Sequence, residues 1–599
     1  MLILQGIIGP DDVNRRFPGP GETEWIHFQG AGWALRIAVP HPTYRIEKES
    51  GYIAVHDGRW SAGGEPWAAG GSYLILHTTR PGALMIESDR VGTIPIYWAA
   101  AGGRTTVFGT RLPDVASALP WGAEPDRLGV LQTLLLAYPW GDRTQVEGVR
   151  LLPPAHRTLL TPGGLRESHA IWQPPPVNRE PAGSITPWVD AAVAALTEAH
   201  RTATAGLDED RTALPVTAGL DSRCNLALNP GLSRRAGLFH CHDLGDFELP
   251  IAERIARHLG HPLDIFPAGQ DMRDAPNFDA SLGPGDFNIG HWRLVGTARR
   301  LRDAGYRATV DGYLQDLLFK ATFLIDRPRH ELIERRQLVA RYVARRCGLP
   351  LPGATASDLD DAVATDYPAG ATGLDASQAF YLTHRSRRLV YNIVRLNHHY
   401  LDVRTPALDH SLINFGLQLP WELRRNAYLY RRIIAALAPD LAMIPYDKTG
   451  LPLLDPRPAT LKRRLTRRVR PYLNRLWPNR PWLRPTEDEF ARLARNDASF
   501  RIDARVRLDG SRWLQECLEL ERPGSFLFDQ ALEPPHIDLL GGMLTVAALE
   551  RSIEEPWSAL RTGVRHDYLA PGVATPIMDA VSYDGMHNGG ARWRGRNAS

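Results

Sequence analysis

From residue 1 to about residue 170 the chain alternates short apolar or every-second-residue runs with Gly-rich turns. The runs are Tyr52 to His56, Tyr73 to Thr79, Ala83 to Glu87, Ile94 to Ala99 and Thr105 to Gly109; the turns include Ala69-Gly70-Gly71 and Gly102-Gly103. A period of two broken by glycine predicts strands joined by tight turns, so this part reads as an antiparallel β-sandwich. The apolar start, Met1 to Ile8, has no basic leader and runs into Gly9-Pro10-Asp11-Asp12, which predicts a buried strand and not a signal peptide.

The stretch Gln173 to Pro181 breaks all periodicity and predicts a linker. Beyond it the period lengthens: Trp188, Ala191, Ala192, Ala195, Leu196 and Ala199 recur at helical spacing, with Thr186 expected as N-cap and Pro187 at the first helical position. Strands expected at Ala213 to Val216, Ala236 to His240, Leu263 to Phe266 and Arg307 to Val310 alternate with helices after Ser222, from about Leu249 to Gly260, and from Trp292 to near Gly305. Such alternation predicts an α/β unit built on a mostly parallel sheet with helical cover. Helical patterns at Glu331 to Arg346, Ala376 to His399 and Leu423 to Leu437 are expected to pack onto that layer. The expected organisation is a first unit over 1–172, a linker over 173–186, a second unit over 187–455, a basic helical extension over 456–583 and a disordered Gly-, Arg- and Asn-rich tail over 584–599.

At 599 residues the chain exceeds what one core serves, in keeping with several units. Its formal charge of +3 argues against a surface built throughout for nucleic acid or anionic lipid. The basic run Arg457 to Arg484, interleaved with Tyr472, Trp477 and Trp482, is expected to be a solvated face, because no nucleic-acid-binding module accompanies it. The longest apolar run, Leu128 to Tyr138, contains Gln132 and ends at Pro139, short of the roughly 18 to 20 residues of a membrane span. Cys224, Cys241, Cys347 and Cys517 show neither metal-ligand nor disulfide-framework spacing, so a cytoplasmic location is expected.

Three passages carry candidate chemistry. In Val216-Thr217-Ala218-Gly219-Leu220-Asp221-Ser222, which joins a strand to a helix, backbone N–H groups and hydroxyls can cradle phosphate, and Asp221 can hold magnesium. The same pattern also serves as a plain strand-to-helix connection. Asp311-Gly312-Tyr313-Leu314-Gln315-Asp316 follows another strand and brings Asp316 to the same sheet edge as a second metal carboxylate. In Pro445 to Pro452, Lys448 can neutralise charge on a leaving pyrophosphate; otherwise it is a solvated loop lysine. His240-Cys241-His242 reads as pocket wall, since successive strand side chains point to opposite faces, and Cys224 reads as core.

These residues resemble the asparagine synthetase superfamily of ATP-pyrophosphatase ligases. Thr217 to Ser222 is similar to its SGGLDS pyrophosphate loop, Asp311 to Phe319 to its SGEGxDExF segment, and Asp402 to Asp409 to its VEARVPFLD. Lys448 falls where the family's late active-site lysine is expected, and Glu248 to Gly260 resembles the helix after the second strand. Ser88 to Trp98 resembles the RDRxGxxPLYY passage of the N-terminal glutaminase-type domain, and Phe108 to Arg111 stands near its FxSE. The resemblance spans residues 1 to about 455. It implies an Ntn-type sandwich followed by an adenine-nucleotide α-hydrolase-like synthetase domain. It further implies ATP and Mg2+, with Asp221 and Asp316 on the metal, Val216 to Ser222 and Gly312 on the pyrophosphate, and Lys448 and Tyr313 as catalytic residues.

The departures bear on function. The second residue is Leu2 and no cysteine precedes Cys224, so the thiolate of the family's glutaminase is absent, and its NGEIYN passage is reduced to His56-Asp57-Gly58-Arg59-Trp60. Ala218 and Lys320 each stand where the family has glycine. Glutaminase loss is shared with β-lactam synthetases, carbapenam synthetases and lasso-peptide cyclases; Tyr313 matches the tyrosine of the β-lactam enzymes' GYGxD segment, but Val390 stands where their glutamate falls. The expected function is therefore a glutamine-independent amide-forming ligase acting on a small-molecule or peptide carboxylate and an amine acceptor. The alternatives are an intramolecular lactam or macrolactam cyclase and a non-catalytic scaffold, and a homodimer stays open as the assembly.

Overall fold

The computed structural model describes residues 2–10, 17, 25–38, 43–49, 51–58, 70–78, 80–180, 183–242, 248–267, 289, 295–320, 373–457, 489–532 and 537–554. The expected helix at Glu331 to Arg346, most of the basic run from Arg457 and the tail after Asp584 lie outside the described residues.

The N-terminal part is two six-stranded antiparallel sheets. In spatial order one holds Arg150–Leu151, Tyr97–Ala100, Thr106–Gly109, Leu4–Ile8, Trp33–Ala38 and Trp25–Gly30. The other holds Gly164–Ala170, His156–Thr161, Leu84–Ser88, Tyr73–His77, Tyr52–His56 and Arg45–Glu49. Alternate residues point inward: Leu4, Ile8, Leu35 and Ile37 from the first sheet share one buried cluster with Ile53, Val55, Leu74, Leu76 and Ile86 from the second. Each such side chain contributes roughly 1.5–3 kcal/mol by leaving water. The strand at the start runs Leu4–Ile8 and is fully buried.

The second sheet's outer face is covered as well. Tyr73 and Ile75 are buried there, Tyr73 meets the ring of His410 edge-on, and Arg90 Nη1 donates to His410 O and Asn414 Oδ1 at 2.9 Å each. Residues near Thr93 are stapled to the helical layer by buried arginines, Arg387 donating to Gly92 O and Leu152 O, and Arg395 to Thr93 O. The Pro-rich stretch after residue 172 is tied down at Val177 N, which donates to Asp375 Oδ1, and at Asn178 N, which donates to Gln418 O.

The second sheet system is five-stranded and all parallel, in the order Leu263–Pro267, Gly237–His242, Thr212–Pro215, Ala308–Val310 and Asp402–Arg404. The earliest strand is thus central, later strands adding first on one side and then on the other. The order reverses between Thr212–Pro215 and Ala308–Val310, the place where open α/β sheets form a crevice at the carboxyl ends of their strands. One face buries Leu214, Val216, Leu238, Val310, Ile255 and Leu441. The other buries Ala213, Cys224, Leu196, Leu317 and Leu412. The chain is therefore mixed α/β.

Three local expectations are corrected. The helix Thr186–Thr204 has Thr186 inside it, with Ile185 already at helical φ/ψ and no side-chain cap. The run expected as one helix from Ala376 is Gly373–Phe380, then a π-helical stretch Tyr381–Val390, then Tyr391–Asn397. The run expected at Leu423 to Leu437 is broken: Trp421–Arg424 and Tyr428–Leu437 are separated by Asn426 (φ 53°) and Ala427 (φ 55°). Asn enters the left-handed region readily, so hydrophobic spacing cannot see this break.

Among the described residues of the C-terminal extension, the helices Glu489–Asn496, Ala498–Asp509, Arg512–Leu518, Pro523–Ala531 and Ile537–Glu554 fold back onto the N-terminal part. Gly542 packs against Thr133 and Leu134, where a Cβ would come 3.0 Å from Thr133 O, and Arg512 pairs with Glu124 at 2.9 Å. Among the described residues no helix is long and apolar enough to cross a membrane.

Candidate functional site

The central strand Thr212–Pro215 ends in a tight loop that enters the helix Leu220–Leu228 at Gly219. Val216 extends the strand, its N–H donating to Phe239 O, and His240 Nδ1 lies 2.7 Å from Val216 O. The loop is closed by its own hydroxyls: Thr217 Oγ1 and Ser222 Oγ are 2.9 Å apart, Thr217 N donates to Ser222 Oγ, and Gly219 N donates to Thr217 Oγ1. No loop residue has positive φ, and Gly219 lies at −74°, so the Cβ of Ala218 brings no backbone strain. Ala218 N donates to Glu248 Oε2 at 3.3 Å, so an anionic oxygen of the chain itself rests on the loop.

The neighbouring strand Ala308–Val310 delivers the second loop to the same edge. Gly312 packs so closely that a Cβ there would stand 2.7 Å from Asp221 Cβ, which requires glycine. The turn continues through Leu314, a buried non-glycine residue at φ 73°, a strained conformation of the kind found at functional sites. Asp311 Oδ1 accepts from Tyr313 N at 2.7 Å. Burial, reinforced by the charge of Asp221, pushes the Asp311 carboxyl up to about 6, against the lowering effect of that hydrogen bond.

Asp316 and Lys320 sit one turn apart on the short helix Gln315–Lys320, so both face Asp221's side of the crevice. Asp316 Oδ1 accepts from Leu317 N at 2.7 Å. Lys320 Nζ lies 2.5 Å from Asp221 Oδ2. Burial alone would lower the lysine, but Asp221, Asp316 and Asp447 outweigh it and hold the ammonium charged. The Tyr430 ring lies beneath it with the centroid 5.8 Å from Nζ, and the Tyr430 hydroxyl donates to Gln315 Oε1 while Gln315 Nε2 donates to Asn225 Oδ1. This buried chain fixes three elements around the lysine.

Tyr313 is buried, its ring edge-on to Tyr391 with centroids 4.9 Å apart and its hydroxyl without a hydrogen-bond partner. Burial, with the charges of Asp89 and Asp316, holds that hydroxyl well above its ordinary range, so it stays protonated. It stands at the contact between the N-terminal part and the crevice.

The third passage arrives through Arg223, which is fully buried. Its Nη1 donates to Leu441 O and Ile444 O, and its Nη2 donates to Pro445 O and Ala218 O, tying the Lys448 loop to the cradle. Burial brings this guanidinium down to about 10, against the nearby Asp447. Asp447 is 3% exposed, with Oδ2 3.0 Å from Lys448 Nζ and Oδ1 buried without a hydrogen-bond partner. Lys448 itself is 62% exposed. The loop thus reaches the cradle, whereas the enclosed ammonium among the carboxylates belongs to Lys320. Arg223→Ala leaves four backbone oxygens short of a donor; the expected cost is about 3 kcal/mol, read as a lowered thermal midpoint.

No three His, Cys, Asp or Glu side chains among the described residues group as a complete metal site. Asp221 Oδ1 is nevertheless buried without a hydrogen-bond partner, while Oδ2 is taken by Lys320. That single acceptor fits a magnesium ion whose remaining ligands are phosphate oxygens and water. In the N-terminal part the described cysteines are none: Cys224, Cys241 and Cys517 all lie beyond it. Cys224 is core, burial pushing its thiol up to about 12, and Cys241 Sγ contacts Thr297 Oγ1 at 3.3 Å.

Sequence reasoning located the two loops and their carboxylates. It passed over Arg223, although this arginine directly follows Ser222, and it treated Lys320 only as a departure. The chain matches no protein-family model and no curated protein.

Proposed function

We propose that the chain is an ATP-dependent amide-forming ligase of the asparagine synthetase type, without glutaminase activity. On this proposal the first part is a degenerate Ntn-type amidotransferase domain and the second an adenine-nucleotide α-hydrolase-like synthetase domain. The observation that carries it is the joining of two loops at the reversal of strand order, with Gly312 laid against Asp221. A plain strand-to-helix connection does not require that approach.

The proposed reaction has two steps. A substrate carboxylate oxygen attacks the α-phosphorus of ATP, giving an acyl-adenylate and pyrophosphate; an amine then attacks the acyl carbon and AMP departs. In-line displacement at phosphorus asks for positioning and charge neutralisation more than for a protein nucleophile. Loop N–H groups and hydroxyls from Thr217 to Ser222 would hold phosphate oxygens, and the helix Leu220–Leu228 points its amino end at them. Asp221, through Oδ1, would hold magnesium, which when bound offsets charge on the pyrophosphate; Asp316 adds negative charge at the same edge. Leu2 is buried in the first sheet system, where its carbonyl accepts from Thr110 Oγ1.

Pyrophosphate release from ATP, measured across a panel of amino-acid and peptide carboxylates with ammonia, glutamine or no added amine, tests this function. Release should require a carboxylate and be indifferent to glutamine. Release stimulated by glutamine but not by ammonia would overturn the assignment. Release with no added amine would identify an acceptor within the substrate.

Asp311 supplies a pH signature. Its carboxyl is raised, so the neutral form is favoured, and lowering the pH from 7.5 through about 6 protonates it. One negative charge beside Asp221 then disappears, and nucleotide binding should tighten. Asp311→Asn should bind equally well at both ends of this range after correction for the phosphate's own titration, as read by calorimetric titration.

A further inference from the structure

Asp221, Asp316 and, from the Lys448 loop, Asp447 all bear on Lys320, and Asp221 bears on Asp311, a concentration of carboxylates that repels a polyphosphate unless a cation is at hand. One is built in. Lys320 is 18% exposed, its Nζ lies 2.5 Å from Asp221 Oδ2, and among the described residues Asp221 is its hydrogen-bond acceptor. The ring of Tyr430 holds the ammonium from below, with Nζ 5.8 Å from its centroid, and that ring is stacked on Phe319 and pinned through its hydroxyl to Gln315. An ammonium carries three N–H donors, and one suffices for Asp221. Two donors remain, and Asp221 Oδ1 and, on the Lys448 loop, Asp447 Oδ1 are buried without hydrogen-bond partners. A divalent ion seated across both Asp221 oxygens would have to displace Lys320.

We propose that Lys320 is the resident counter-ion of this junction. It takes the Asp221 Oδ2 position that a metal bridging that carboxylate would need, and it receives phosphate oxygens directly. The inference rests on the ATP chemistry proposed above and adds to it a specific consequence: polyphosphate is held in large part without metal. Lys448, more exposed, pairs with Asp447 at 3.0 Å.

Two probes test it on the full chain, inorganic pyrophosphate and a non-hydrolysable ATP analogue, each titrated in EDTA and in magnesium. The wild type should bind in EDTA within about threefold of its affinity in magnesium, and Lys320→Met should bind at least about tenfold more weakly in EDTA and recover with magnesium. Lys320→Arg should keep the metal-free binding. As a readout independent of phosphate, Mn2+ titration followed by electron paramagnetic resonance should show tighter Mn2+ binding in Lys320→Met, with both Asp221 oxygens open to the ion, than in the wild type, and loss of that gain when Asp221→Asn is added. Equal binding of wild type and Lys320→Met in EDTA, or wild-type binding that vanishes without magnesium, would overturn the counter-ion role while leaving ATP chemistry standing. If Lys320→Met fails to fold, the wild-type comparison and Lys320→Arg decide by themselves. Absence of probe binding by the wild type under both conditions would overturn both proposals.

Discussion

Asp221→Asn is expected to lower carboxylate-dependent pyrophosphate release by about a thousandfold, the equivalent of about 4 kcal/mol of transition-state stabilisation. The side chain keeps its shape and loses its charge, so the loss isolates the electrostatic role. Oδ1 would no longer offer an anionic oxygen to magnesium, and Lys320 would lose the carboxylate 2.5 Å away that holds its ammonium in place. Both members of that pair are partly exposed, 18% and 29%, so the effect on stability should be about 1 kcal/mol or less. Steady-state assay of pyrophosphate, paired with thermal unfolding, reads the two separately. A variant with near-normal turnover would remove Asp221 from the chemistry, and a scaffold protein would keep its partner in spite of the change.

Gly312→Ala should also be damaging, although it removes no charged or polar group. Its Cβ would meet Asp221 Cβ at 2.7 Å, well inside contact distance, so one loop must retreat by about 1 Å. A displacement of that size between groups that must converge on one phosphate costs about a hundredfold in turnover. Overpacking should cost about 1–3 kcal/mol of stability. Restoring space is informative here. Asp221 has no smaller isostere that keeps its charge, so no second-site change should rescue activity, whereas stability should recover in Gly312→Ala with Asp221→Gly. Loss of stability with unchanged turnover would show that the close approach serves only the fold.

The legibility of the fold followed the range of the forces involved. Half of the sandwich strands were readable because alternation is local: Tyr52–His56 is a strand over the residues expected, and the other five expected runs differ by one to three residues at their ends, whereas Trp25–Gly30, Trp33–Ala38, Arg45–Glu49, Arg150–Leu151, His156–Thr161 and Gly164–Ala170 were not singled out. The two loops were readable for the same reason, each being a strand, a turn and a helix within ten residues. What escaped was non-local. Lys320 meets Asp221 across 99 positions and Arg223 reaches acceptors more than 200 positions away, pairings that no periodicity encodes. The helix break at Asn426 escaped because it is a matter of local backbone geometry, and the π-helical stretch Tyr381–Val390 because its buried face is largely polar, with His384, Ser386, Arg387 and Arg388. The return of the C-terminal helices onto the N-terminal part depends on a match of two surfaces, of which each sequence shows only its own side.

Ala218 and Lys320 looked alike in the sequence, each standing where glycine was expected, but their structural settings differ. Ala218 fits a loop with no left-handed residue and costs little. Lys320 places a charge at the centre of the site. Its ammonium pairs with a carboxylate and rests on an aromatic ring.

The most direct measurement is identification of the nucleotide product when purified protein, MgATP and the carboxylate panel are combined, by ion-exchange chromatography with 31P resonance of the same samples. AMP and pyrophosphate in equal amounts, formed only with a carboxylate and absent in Asp221→Asn, is the predicted result. ADP and phosphate as products, or AMP formed equally by wild type and Asp221→Asn, would contradict adenylation at this junction.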